Sequence, residues 1–227
     1  MKGYNIVENY KIDTNITFIR IDPTDIKLTL KEVFQSLSDL SWLSKFDGSY
    51  ILESFNERAN STIKHIADNI IKSNDSSITS SSAEYVVSEL ARKAIVNELK
   101  YLDIPLAELI KKQKIGNPGF DFYSENLSNI LLFGEAKFLT SKNAYGKAFE
   151  QIIKFEKNKS DIEDLIDFDR FCSKDSLEKF NKKEKGFIAA FSSKSTKTDV
   201  LLKNISKNLH FIEMKKFSEI ICIAVNL

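Results

Sequence analysis

The sequence predicts an α/β protein: a mixed β-sheet flanked by helices, with an N-terminal strand/helix extension. Three observations carry this. Two compact apolar runs late in the chain, at 186–191 and 219–225, are bounded by glycine, serine or charged residues and read as buried strands. Segments with apolar residues at helical spacing lie between and before them. Between 117 and 138, two short apolar runs flank a polar, Asn/Ser-rich turn, the pattern of a strand hairpin.

Taken in order, residues 4–22 hold β-leaning runs, the clearest at 16–21, ended by Asp22-Pro23, where proline disfavours helix at the residue before it. From 24 to 43 the residues Ile26, Leu30, Val33, Phe34, Leu37, Leu40 and Leu43 keep helical spacing. After the Asp47-Gly48 turn signal a second amphipathic helix spans about 50–72. The serine-rich stretch 73–82 reads equally as a linker between lobes or as a loop ending in a serine N-cap. Taken as a linker, it divides the chain into residues 1–72 and a core at 83–227. A strong helix follows at 83–100, then a short helix or turn at 105–114, and Gly116-Asn117-Pro118-Gly119 breaks the chain before the hairpin. Helices are expected at 143–157, within 160–184, and at 201–209. No internal repeat is visible.

The 227 residues suffice for one good-sized domain or a core with an appended lobe. No apolar run reaches the ~20 residues that span a bilayer, and the first residues lack a basic-then-apolar signal pattern. The two cysteines, Cys172 and Cys222, stand far apart without metal-ligand spacing, which points to a reducing cytoplasm and against a zinc module. Net charge is only +1, but it is unevenly spread: 15 basic and 19 acidic residues over 1–136, against 18 and 12 over 137–216. A basic second half can track a phosphate backbone or be the solvated face of several helices.

The chemistry concentrates in the hairpin. Its first run carries Asp121, and its second ends Glu135-Ala136-Lys137. Residues two apart on a strand share a face, so Glu135 and Lys137 project together while Ala136 turns into packing. With Asp121 on the neighbouring strand pointing the same way, two carboxylates and an ammonium meet on one patch. Paired carboxylates suit Mg²⁺, and a lysine beside them can orient water or counter charge on a phosphate. The triplet itself is weak evidence, because E-x-K occurs three times. Glu98-Leu99-Lys100 lies inside a helix, where i and i+2 diverge by about 200°. Glu213-Met214-Lys215 follows a plausible short strand but has no Gly-Phe-Asp hairpin partner upstream. Only the middle copy ends a long apolar strand, follows a carboxylate one hairpin earlier, and leads into a helix. Read blandly, the three residues are edge groups in ordinary salt bridges; their setting on apolar strands makes that arrangement costly without pairing or metal.

A carboxylate at a strand end, a hairpin, E-x-K on a buried strand and a following helix together resemble the PD-(D/E)xK nuclease superfamily, over about residues 83–155. Within it, the chain is most similar to the small nuclease subunits of bacterial antiphage systems, of the HamA type in Hachiman. One departure is that the proline, Pro118, stands three residues before Asp121 rather than next to it. The resemblance implies a restriction-endonuclease-like core and a Mg²⁺-dependent deoxyribonuclease, with Mn²⁺ able to substitute. Asp121 and Glu135 would bind the metal with the Ala136 carbonyl, and Lys137 would position water. It also implies a glutamate on the preceding helix that completes the acid cluster or holds a second metal, which Glu84 fits first and Glu89 second, and a polar residue on the following helix reaching back to the site or to phosphate, Gln151. Read without the resemblance, Glu84 and Glu89 are solvated helix residues, Glu89 pairing with Arg92 or Lys93, and Gln151 is an exposed helix residue.

The expected partner is DNA. The chain has no Walker-type glycine loop, so a defence nuclease subunit would rely on a separate helicase/ATPase. Two alternatives stand beside this: a self-contained restriction-type endonuclease acting as a homodimer, and an inactive nuclease-fold module binding nucleic acid or protein. No membrane association is expected.

Overall fold

A computed structural model describes residues 2–71, 80–111 and 119–227. The serine-rich stretch 73–79 and Pro118 lie outside those residues. The strands and helices, in chain order, are β1 (Tyr4–Asp13), β2 (Ile16–Pro23), α1 (Ile26–Leu37), α2 (Ser49–Ile71), α3 (Ser80–Leu99), α4 (Ala107–Ile110), β3 (Phe122–Glu125), β4 (Leu131–Lys137), α5 (Tyr145–Lys157), α6 (Ser160–Phe168), α7 (Lys174–Asn181), β5 (Lys185–Ser193), α8 (Thr198–Ser206), α9 (Leu209–Met214) and β6 (Glu219–Asn226).

Six strands form one mixed sheet in the order β1-β2-β6-β5-β4-β3. The four inner strands run parallel, and an antiparallel hairpin closes each edge. Parallel strands are covered on both faces, which is why β5 and β6 read as unbroken apolar runs rather than alternating ones. Because β2 pairs with β6 along Ile16–Ile21, the N-terminal hairpin belongs to the same sheet as the rest, and that sheet is continuous across the 72/83 boundary. Helices flank it: α3 and α5 both pack on β4, while α1 and α2 lie against α3.

Two expectations shift for local reasons. The apolar spacing continues to Leu43, yet α1 ends at Leu37 and a 3-10 turn covers Ser41–Lys45. The Asp39 carboxylate accepts the Ser41 N–H, a local bond that competes with helix continuation. The third E-x-K follows no strand: Glu213 and Met214 close α9, started by the Asn208 side chain accepting the Phe211 N–H.

An aromatic cluster fills the space beneath the hairpin. Phe120 meets Phe133, Phe155 of α5 and Phe187 of β5, with ring centroids 5.2–5.7 Å apart. Tyr123 stacks on Phe168 of α6 at 3.9 Å. Gly134 makes the hairpin possible, since a Cβ there would stand 2.5 Å from Phe122 Cζ on the facing strand.

Candidate active site

The site forms where β3 and β4 part. Asp121 precedes β3 by one residue, and its N–H still donates to the Gly134 carbonyl at 2.8 Å. Its carboxylate then takes the place of a ladder acceptor, receiving the Ala136 N–H on Oδ2 at 2.7 Å. Glu135 and Lys137 share a face of β4 as their spacing requires, and Lys137 Nζ lies 2.6 Å from Glu135 Oε1. The other Glu135 oxygen, Oε2, is buried with no hydrogen-bond partner. Glu84, in the first part of α3, is half exposed; its Oε1 lies 3.8 Å from Lys137 Nζ and 3.4 Å from the Phe138 N–H. A groove of about 320 Å³ opens beside these groups, lined by Glu84, Lys137, Gln151 and Lys154 among others.

Electrostatics are set by burial. Enclosure by protein pushes the Asp121 carboxyl up to about 7, against the Lys137 ammonium and the Ala136 N–H, which lower it; Glu84 and Glu108 raise it further. Glu135 is held well above the usual carboxylate range, first by burial and then by Asp121, with Lys137 opposing. For Lys137, burial favours the neutral amine, but Glu135 and Asp121 outweigh it and hold the pKa above the ordinary lysine value. Lys137 is therefore a cation near neutral pH, and its chemistry here is that of a charge and a donor rather than a base.

The sequence-derived candidates thus separate. Asp121, Glu135, Ala136, Lys137 and Glu84 converge, and Gln151 lines the adjoining groove without a direct contact to the carboxylates. The Ala136 contact to Asp121 runs through its N–H. Glu89 is elsewhere: fully buried, it holds Arg92 through both oxygens at 2.7 and 2.8 Å, and Arg92 reaches on to Asp103 and Ser36. One neighbour was missed. Glu108 on α4 hydrogen-bonds Tyr85, keeps Oε2 buried and unpartnered, and has its pKa raised chiefly by burial. Its signal in the sequence was a lone carboxylate in the apolar run 104–110.

Among the described residues, no group of three or more His, Cys, Asp or Glu side chains is arranged to hold a metal ion. The protein ligand set on offer is a pair of carboxylates. That suits Mg²⁺, which keeps several waters and takes other ligands from phosphate oxygens. The unpartnered Glu135 Oε2 is the observation that fits, because a buried carboxylate oxygen without a donor is stabilised by a cation. No helix among the described residues is long and apolar enough to cross a membrane. Cys172 and Cys222 are both unpaired, and burial raises both thiols, Cys222 to about 12. Comparison with protein-family models, with curated proteins and with solved structures found no match to this chain.

Proposed function

We propose that this protein is a Mg²⁺-dependent nuclease that hydrolyses DNA phosphodiester bonds on a restriction-endonuclease-like core. The observation that carries the reading is the meeting of Asp121, Glu135 and Lys137 at one strand end, with Glu135 Oε2 buried and unpaired. Asp121 and Glu135 would hold the ion, and Mn²⁺ would substitute. A divalent cation there supplies Lewis-acid polarisation of a phosphate oxygen and acidifies a bound water.

The chain's own residues supply the remainder. Asp121 and Glu135 act as anions, which requires both to shed their protons. Lys137, held charged by its neighbours, orients the attacking water and offsets negative charge growing on the phosphate. Lys154 and Gln151 face the groove beside the site and offer a cation and an amide to flanking phosphates. Glu84, already 3.8 Å from Lys137, adds a further carboxylate beside that ammonium.

The biological setting we favour is the effector subunit of an antiphage system licensed by a helicase. It rests on the resemblance and on the lack of a nucleotide-binding loop in the sequence. The test is incubation of purified protein with supercoiled plasmid and with linear duplex, in Mg²⁺ or EDTA, beside Lys137→Ala. Metal-dependent cutting that the variant loses supports the reading. If a folded wild-type protein shows no Mg²⁺ or Mn²⁺ binding at millimolar concentration, even with DNA present, it is instead an inactive module.

A further inference from the structure

Asp121 is held unusually firmly, and the groups that hold it lie behind the site. Four successive backbone groups are engaged. The Phe120 N–H donates to Asp164 Oδ2 at 2.8 Å, and the Phe120 carbonyl accepts from Lys111 Nζ at 3.3 Å. The Asp121 N–H donates to Gly134 and its carbonyl accepts the Ala107 N–H at 2.9 Å. Two of these bonds come from one buried ion pair. Lys111, just past α4, and Asp164, on α6, stand 2.7 Å apart with side chains only 4% and 6% exposed. Tyr123 donates its hydroxyl to the same Asp164 oxygen at 2.9 Å.

A buried ion pair is weak evidence for stability, because desolvation of both charges offsets their attraction. Here both charged groups are spent on the backbone of Phe120, the residue immediately before Asp121. Gly119 fits the same account: its φ is +151°, and a Cβ there would stand 2.6 Å from Asp164 Oδ1. The chain passes directly against the Lys111–Asp164 pair at Gly119, where a side chain would collide with both.

We propose that Lys111 and Asp164 are positioning residues: they fix the backbone at Phe120 so that the Asp121 carboxylate stands against the Ala136 N–H and beside Glu135, ready to share a divalent cation. This rests on the nuclease reading above. Groups behind a ligand typically change metal affinity or activity by about 10- to 100-fold when removed, because a carboxylate free to swing must be re-ordered on binding.

The experiment measures Mn²⁺ binding by electron paramagnetic resonance, and amide exchange in metal-free protein, for wild type and Asp164→Asn. One amide cannot accept from Phe120 and Tyr123 while also facing the Lys111 ammonium with an acceptor, so the clamp is broken. The expected result is at least ~10-fold weaker Mn²⁺ binding, with faster exchange at Phe120 and Ala136 and unchanged protection in β5 and β6. Because Asp164→Asn strands a buried ammonium and can unfold the chain, Tyr123→Phe is measured alongside. It removes one bond without stranding a charge, and the same changes are expected on a several-fold scale. Wild-type Mn²⁺ affinity and Ala136 exchange in a folded variant overturn the positioning role and leave the nuclease reading standing. No Mn²⁺ binding by wild type at millimolar concentration, with duplex DNA present as well as absent, overturns the nuclease reading and this inference with it.

Discussion

The Ala136 N–H donates to Asp121 Oδ2 at 2.7 Å, so the first site carboxylate is tied to the backbone between the other two site residues, Glu135 and Lys137. A bond to the ionised form lowers a carboxyl's pKa, as does the Lys137 ammonium, yet burial with Glu84 and Glu108 nearby outweighs both and brings Asp121 to about 7. The site stores unfavourable electrostatics that a cation relieves.

That imbalance gives a pH dependence of known sign. The folded-state pKa of Asp121 lies above its unfolded value near 4, so the folded chain binds the extra proton between about 4 and 7. Its contribution to stability is whole below pH ~4 and is lost as pH rises through ~7, a loss of order 4 kcal/mol at ~1.4 kcal/mol per pH unit. Glu135, also raised, adds in the same direction. Urea melts in EDTA should therefore weaken from pH 5 to pH 8, and Mg²⁺ should recover stability at pH 8 more than at pH 5. A flat profile would show that the pair is not desolvated as described.

Glu108 sharpens this. Burial raises its carboxyl against the opposing charges of His65 and Lys111, and its own charge raises Asp121. Glu108→Gln keeps the shape and removes the charge, so metal-free protein at pH 8 should gain stability, by about 1 kcal/mol. Destabilisation at pH 8 in EDTA would instead assign Glu108 a structural bond that the amide cannot replace.

Lys137→Ala should lower cutting by at least ~10²-fold with the fold retained. It also leaves Glu135 buried without its 2.6 Å partner, so metal-free protein should melt earlier at neutral pH. Single-turnover cleavage and thermal melts measured together separate the two effects.

Gly119→Ala places a methyl against Lys111 and Asp164 at a φ that L-residues rarely adopt. A cost of about 2–4 kcal/mol is expected, seen as a lower urea midpoint. A neutral substitution would mean that the segment before Asp121 yields easily.

The Glu89–Arg92 pair, which does not line the groove, provides a contrast. Arg92→Met strands a fully buried carboxylate and should cost about 3–5 kcal/mol, whereas Glu89→Gln with Arg92→Met should cost less. Mn²⁺ affinity of the folded double variant should match wild type; a loss there would return Glu89 to the site.

The sequence by itself determined much of this. Uninterrupted apolar runs marked β5 and β6, because strands covered on both faces have no polar side to show. The i, i+2 spacing of Glu135 and Lys137 on β4 fixed their shared face, since strand periodicity is local geometry. Tertiary structure decided the remainder. Nothing local tells that β2 lies beside β6, some two hundred residues later, so the serine-rich stretch between read equally as a linker or as a loop. Glu84 and Glu89 are both glutamates on α3, and the sequence could rank them but not place them. Only the packing of α3 turns Glu84 towards Lys137 and sinks Glu89 against Arg92. Glu108 showed only as a lone carboxylate in an apolar run, and Lys111 and Asp164 gave no signal for the same reason. Their roles depend on which backbone groups lie within about 3 Å of them, and those distances exist only after α4, α6 and the hairpin have packed together.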